Sequence, residues 1–376
     1  MMLKKLLVLA VALLMFPQIA QTLYSPALAD IGQAFAVGPE AAGQTLSVYF
    51  LAFAFGVVVW GRLCDRFGRR PVMLAGLALY GAATALALGV RSFNGLLLAQ
   101  AVAAFGAAVG SVVTQTVLRD RFSGAGLAQV FSVVGIALAA SPAIGLFTGA
   151  GLVQHFGYRG VLTGLLLLAL TLLAWCLWAL PETRPASLPT ASLRGTLGLM
   201  LKDAALWRSV GLVAVFNIAL FSYYSLGPFV FQRLGLSAEQ FGYSGVLLAL
   251  GSGLGAWLNK GLLKRGAGSE QLVLAAGGVM LVGSVLVVLL QDRWLFVLPM
   301  LLVVMAFGMA IPNVLGAALT AYRDRLGTAG ALFGLLYYLV IGVGLTLAAW
   351  VQQLGWTLLV CALAALCLAI PRTVRN

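Results

Sequence analysis

Charge is what this chain has least of. Only 9% of its 376 residues are Asp, Glu, Lys or Arg, and ten of them are acidic. A soluble domain carries about 25% charged residues, so a water-facing surface of ordinary extent is excluded. Histidine occurs once and cysteine four times. Cys176, Cys361 and Cys367 sit inside apolar runs and Cys64 in a basic stretch, so neither a disulfide framework nor a metal centre is expected. No glycine-rich loop followed by Lys and Ser or Thr is present, and no polar stretch is long enough for a nucleotide-hydrolysing domain. A primary pump is thereby excluded for this chain alone. No enzyme activity and no cofactor are expected.

What is there is hydrophobic: 62% of the residues, with a mean hydropathy of +1.04. A membrane-spanning helix needs about 20 apolar residues. Twelve runs qualify, at 6–28, 44–60, 71–90, 95–118, 127–153, 160–180, 209–230, 241–259, 271–290, 294–321, 328–352 and 356–370. The opening basic residues and the first run look like a secretory signal, but the run continues past 20 residues without a small-residue cleavage pattern. An uncleaved first helix is expected. The proline-containing stretch 181–208 is the longest polar segment and reads as a linker between an N-terminal bundle (1–180) and a C-terminal bundle (209–376).

A net charge of +13 would suggest nucleic acid in a soluble protein. Membrane topology explains it better. With the N-terminus cytoplasmic, 19 of the 23 Lys and Arg fall on the cytoplasmic side, leaving only Arg91, Arg159, Arg233 and Arg293 opposite. The positive-inside rule therefore predicts a multi-pass protein with both termini cytoplasmic and the bilayer, not nucleic acid, as its surroundings. The halves also repeat at an offset of about 200 residues. Gly61 with Asp65-Arg66 is echoed by Gly255 with Asn259-Lys260, Arg119-Asp120-Arg121 by Arg323-Asp324-Arg325, and Gln154-His155-Phe156-Gly157-Tyr158 by Gln352-Gln353-Leu354-Gly355-Trp356. Internal duplication of this kind is typical of secondary transporters, whose binding sites lie between the halves.

Gly61-Arg62-Leu63-Cys64-Asp65-Arg66-Phe67-Gly68-Arg69-Arg70, between the second and third runs, resembles the helix 2–3 signature of the major facilitator superfamily. Further matches follow in order. They are Tyr24-Ser25-Pro26-Ala27-Leu28, Leu118-Arg119-Asp120-Arg121, Ser141-Pro142-Ala143-Ile144-Gly145, Leu180-Pro181-Glu182-Thr183, Gly227-Pro228-Phe229 and Pro312-Asn313. Together they are most similar to the Bcr/CflA-type drug:proton antiporters. The resemblance implies an all-α fold of twelve transmembrane helices in two pseudo-symmetric six-helix bundles. It also implies a monomer in a bacterial-type inner membrane that exports small organic compounds by alternating access, with protons as coupling ion.

The resemblance also places candidate residues. Gly61, Asp65, Arg66, Gly68, Arg69 and Arg70 are expected to form a gating charge cluster with Asp120, Asp65 lying near the start of helix 11. The positive-inside rule alone would explain the arginines, though not Asp65 or the glycines. Ser141, Pro142 and Gly145 match an antiporter-type motif, with Ser and Leu replacing the glycines expected at 141 and 146. The substrate cavity is expected between helices 1, 4, 7 and 10. Its candidate polar and aromatic groups are Gln18, Gln21, Thr22, Gln100, Thr114, Gln115, Asn217, Phe221, Tyr223, Tyr224 and Asn313. Interhelical hydrogen bonding is the competing role for each polar one.

All ten acidic residues map to loops or helix ends. The positions that commonly carry an acid in helix 1 and a base in helix 4 of the family are Thr22 and Gln100 here. Asp30 and His155 remain as candidates for proton coupling. A pocket without intramembrane charge suits neutral, amphipathic or zwitterionic compounds. Two alternatives stand beside drug export: a dedicated metabolite or siderophore exporter not coupled to protons, and a non-transporting sensor or scaffold.

Overall fold

The computed structural model describes residues 2–185 and 192–370, with side chains from residue 6 onward except at 125, 128, 132, 323 and 324. Lys4, Lys5, Arg323, Asp324, Arg372 and Arg375, which enter the charge count or the repeat above, lie outside the described side chains. Among the described residues ten helices are long and apolar enough to cross a membrane. Gly157 divides one of them in two and a shorter apolar helix follows the last, so twelve follow one another. They are α1 Leu6–Ala34, α2 Pro39–Phe67, α3 Arg69–Gly89 and α4 Phe93–Arg121, then α5 and α6 within Gly124–Ala179. The second half has α7 Ala204–Arg233, α8 Ala238–Lys264, α9 Ser269–Leu290, α10 Trp294–Tyr322, α11 Leu326–Val351 and α12 Leu354–Ala369.

The helices outrun the apolar runs, because backbone hydrogen bonding continues where the side chains turn polar. The stretch expected to be a loop at 61–67 is the last two turns of α2, and the chain reverses at Gly68 alone, whose φ of +103° only glycine adopts readily. The expected α5–α6 loop is likewise a single break at Gly157 (φ 62°, ψ −167°). Within the linker, Leu193–Lys202 is a separate helix and α7 begins at Ala204, where the Asp203 carboxylate accepts the N–H groups of Ala205 (2.9 Å) and Leu206 (3.1 Å). That bond satisfies donors that every helix start leaves open.

Each half packs in the same order. In the first, α1 lies on α4 and α5, α2 and α3 flank α4, and α3 meets α6. In the second, α7 lies on α10 and α11, α8 and α9 flank α10, and α9 meets α12. The halves join through α2 against α11 and α5 against α8, a pair of contacts that the duplication exchanges. Small residues set these distances, as expected where lipid gives helices no hydrophobic reason to associate. A Cβ on Gly149 would stand 2.2 Å from the Leu23 carbonyl oxygen of α1, and one on Gly242 of α8 would stand 2.6 Å from the Ala150 methyl. Helix α5 is therefore held tightly on two sides, by α1 and by the other half.

Candidate functional site

Between the halves lies a cavity of about 790 Å³. Its polar wall comes from Gln18 and Gln21 of α1, Ser111 and Gln115 of α4, Asn217 and Tyr224 of α7, and Lys260 of α8. Its inner end is aromatic. Phe50 and Phe53 of α2 meet Phe221 of α7 and Tyr338 of α11, with ring centroids 4.5 Å apart for Phe50–Phe221 and 5.0 Å for Phe53–Tyr338. These rings bridge the two halves.

Beyond the rings the molecule is shut. The Ser25 hydroxyl donates to the Tyr224 carbonyl (2.5 Å), Ser225 to the Gly43 carbonyl (3.4 Å) and the Gln44 amide to the Thr346 carbonyl (3.4 Å), each bond crossing between halves. Toward the end that carries the basic residues, the halves part. Along α2 and α11, Leu51 meets Gly342 and Val57 meets Gly334. One step further, a Cβ on Gly61 would meet only Val112 (3.5 Å) and one on Gly330 only Leu319 (3.9 Å), each within its own half. Ile136 and Trp257, both on the cavity wall, are 72% and 69% exposed. The structure is open at the basic end and closed at the far end.

Of the residues expected in the cavity, Gln18, Gln21, Gln115, Asn217, Phe221 and Tyr224 line it, and so does Pro142 of the antiporter-type motif. Thr22, Gln100, Thr114, Tyr223 and Asn313 do not. Tyr223 follows one position before Tyr224, and successive helical side chains diverge by about 100°. Its hydroxyl is bonded to Ser244 of α8 (2.6 Å). Asn313 donates to the Asn259 side chain (2.6 Å) and the Met309 carbonyl (2.8 Å), and Thr22 donates to the Gln18 carbonyl (2.8 Å). For these, interhelical or intrahelical bonding is the observed role. Ser141 bonds back to the Ala137 carbonyl (3.1 Å), while Gly145 passes so close to α1 that a Cβ would fall on the Thr22 hydroxyl. A smaller cavity of about 460 Å³ beside Tyr243 and Trp294 is walled by residues of the second half only.

Phe50, Phe53, Tyr337, Tyr338 and Lys260 also line the cavity and are not among the expected residues, since they lie on α2, α8 and α11 and not on helices 1, 4, 7 and 10. The consecutive Tyr337-Tyr338 in an otherwise aliphatic run was the available signal. Asp30 and His155 lie apart from the cavity. The Asp30 carboxylate accepts the Tyr158 N–H (2.6 Å) at the start of α6, and His155 is exposed beside Phe156.

At the open end a second cluster ties one half together. Arg69 is 1% exposed. Its Nε donates to Asp120 Oδ2 at the end of α4 (2.8 Å), and its Nη1 donates to the Cys64 carbonyl (3.0 Å) and Asp65 Oδ1 (3.4 Å). Thr183 donates to the same Asp120 oxygen (2.9 Å). Glu182, just past α6, accepts the backbone N–H groups of Arg69 (2.9 Å) and Arg70 (3.1 Å), capping α3, and those of Thr183 and Arg184 (2.9 Å each). Gly68 leaves the room: a Cβ there would stand 2.5 Å from Glu182 Oε2. Partial burial would raise the Glu182 pKa, but the bonds from Arg69, Arg184, Arg70 and Thr183 outweigh it and hold the carboxyl below the usual carboxylate range. The Glu182 carboxylate is thus ionised at neutral pH, and the stability its bonds contribute is lost as pH falls through that depressed value. Arg70 closes the group by donating to the Leu177 carbonyl of α6 (2.7 Å), and Arg66 lies over the Phe67 ring at 5.3 Å. Asp65 itself is half exposed, 52% of its side chain, and in this state is turned to Arg69 and not to α11.

Comparison with known proteins agrees with the architecture. The family model described as Major Facilitator Superfamily matches residues 10–345. Multidrug resistance protein D of Escherichia coli (strain K12) is 29% identical over 359 residues, covering 93% of this chain and 90% of its own. The bicyclomycin resistance protein homolog of Haemophilus influenzae is 26% identical over 339 residues, covering 87% and 84%. The crystal structure of a D-xylose-proton symporter superposes with a TM-score of 0.79 over 97% of both chains at 14% identity, a likeness of fold. With twelve helices in two matching halves among the described residues and a family match over nearly the whole length, this chain belongs to the Major Facilitator Superfamily of membrane transporters.

Proposed function

We propose that the protein exports drug-sized organic compounds by alternating access, loading at the basic end and releasing at the far end. The observation that carries this reading is the cavity between the halves, shut on one side by inter-half contacts and open on the other. Its volume lies within the roughly 300–1,000 Å³ common for small-molecule sites. The resistance functions named for the relatives support drugs as cargo. Residues 1–180 and 209–376 then act as the two swinging bundles of a monomer, 181–208 connects them, and the basic end is cytoplasmic in an inner membrane. When the far end opens, Gly61 and Asp65 close against the start of α11, where the helix dipole favours a carboxylate.

One observation favours a second reading of the coupling. No carboxylate or imidazole lines the cavity among the described residues, so the cargo site offers no ordinary proton acceptor at neutral pH. Export down the substrate gradient, not exchanged against protons at this site, fits better than antiport. Both readings are tested in proteoliposomes loaded with neutral, anionic and cationic dyes. Protein-dependent efflux of at least one dye is expected, with a rate that an imposed pH gradient leaves unchanged; acceleration by the gradient would restore the antiporter. Asp65→Asn is expected to reduce that efflux at least tenfold at normal expression, and near-normal efflux would remove Asp65 from the gate.

A further inference from the structure

Resting on the exporter reading, we propose that the cavity selects aromatic compounds carrying an anionic oxygen over organic cations. Three features of the wall carry this. The rings of Phe50, Phe53, Phe221 and Tyr338 offer flat apolar surface at the closed end. Two wall residues that are almost fully buried, Gln21 (3% exposed) and Tyr224 (0%), hold hydrogen-bonding groups, the Gln21 amide nitrogen and the Tyr224 hydroxyl, that have no partner in the protein. A buried donor left unpaired is costly, and an oxygen acceptor on the cargo is what satisfies both. A quaternary nitrogen offers neither group a partner, and an ammonium can pair only with the oxygen of the Tyr224 hydroxyl, leaving the Gln21 N–H groups and the Tyr224 O–H unpaired.

The third feature is Lys260. Among the described residues it is the cation of the cavity wall, exposed near the open end of α8. Among the described residues no carboxylate stands within ion-pair distance of it, and none lines the cavity. An ammonium roughly 10 Å from an entering charge, at an effective dielectric of about 20, favours an anion about tenfold and disfavours a cation by a similar factor. Cargo thus meets Lys260 first, at the open end, and the rings and unpaired donors deeper in the cavity. The duplication places Lys260 where the first half has Arg66. Arg66 lies on Phe67 outside the cavity, so only the second-half copy faces the cargo.

Fluorescein and rhodamine 123 share the xanthene ring system and differ in charge sign, which makes them the test pair. Both are loaded into liposomes of zwitterionic phosphatidylcholine containing the full-length protein, so that the lipid supplies no net surface charge. Efflux of fluorescein is expected to exceed that of rhodamine 123 at least tenfold. Lys260→Glu is expected to lower this ratio at least tenfold and Lys260→Arg to retain it; a ratio within one preparation does not depend on how much protein folds. Equal or faster rhodamine efflux by the unaltered protein, or a ratio that Lys260→Glu leaves in place, overturns the selectivity while leaving export standing. Efflux of no dye at all overturns the exporter reading, and the selectivity falls with it.

Discussion

Asp120→Ala is expected to cut efflux at least tenfold and to lower the melting midpoint of the purified protein. The Arg69 guanidinium is 1% exposed and donates its shortest side-chain bond, 2.8 Å, to Asp120. Removing one partner of a buried ion pair leaves the other charge uncompensated and costs about 3–5 kcal/mol. The lower end, about 3 kcal/mol, applies here, because the Cys64 carbonyl and Asp65 remain with the arginine. The loss falls where α2, α3, α4 and the end of α6 meet, so the first half loosens as a unit. Asp120→Asn keeps an acceptor for Thr183 and Arg69 and is expected to fall between. Thermal unfolding in detergent, read beside dye efflux, checks the order. An Asp120→Ala protein as stable and as active as the original would show that Arg69 needs no anion there.

Gly149→Val is expected to have the second large effect. The clash is with backbone: a Cβ at this position would lie 2.2 Å from the Leu23 carbonyl oxygen and 2.9 Å from the Leu23 Cα, so no rotamer change relieves it. Overpacking a close helix contact costs about 1–3 kcal/mol when the structure can shift. Here the shift is opposed from the opposite side, where Gly242 of α8 touches Ala150. Separating α5 from α1 therefore disturbs the contact between the halves as well, and both melting midpoint and efflux are expected to drop. Gly151 is the control, since a Cβ there meets nothing within 4 Å. Gly151→Ala is expected to be neutral or stabilising by up to about 1 kcal/mol from helix propensity. Equal outcomes for the two substitutions would mean that α1 and α5 are not packed as described.

The span count and the family were legible because both rest on long patterns: apolar runs against a background of 9% charge, and motifs repeated in order. Helix ends were not legible in the same way. Arg62, Asp65 and Arg66 end the apolar run but not the hydrogen-bond ladder, so α2 continues to Phe67 and the reversal narrows to Gly68. The Arg69–Asp120 contact was anticipated by the family pattern, whereas Glu182 was seen only as part of a motif. Its role depends on α6 ending beside the start of α3, a neighbourhood that no local sequence encodes. The cavity was half legible. Which of two adjacent polar residues faces it depends on helix rotation, and Tyr223 and Tyr224 show the consequence. The aromatic end was hidden because its rings come from α2 and α11, the helices that join the halves.

Alternating access requires the far end to open. In a background without the four native cysteines, Gly43→Cys and Ala349→Cys place two thiols across the closed contact, where a Cβ on Gly43 would lie 3.0 Å from the Ala349 methyl. Disulfides span Cβ separations of about 3.5–4.5 Å, so a small adjustment suffices. Oxidation is expected to form this cross-link readily and to bring dye efflux to the protein-free background, and dithiothreitol is expected to restore it. Full efflux by protein shown to be completely cross-linked would mean that cargo crosses without parting α2 from α11, which contradicts alternating access through this cavity.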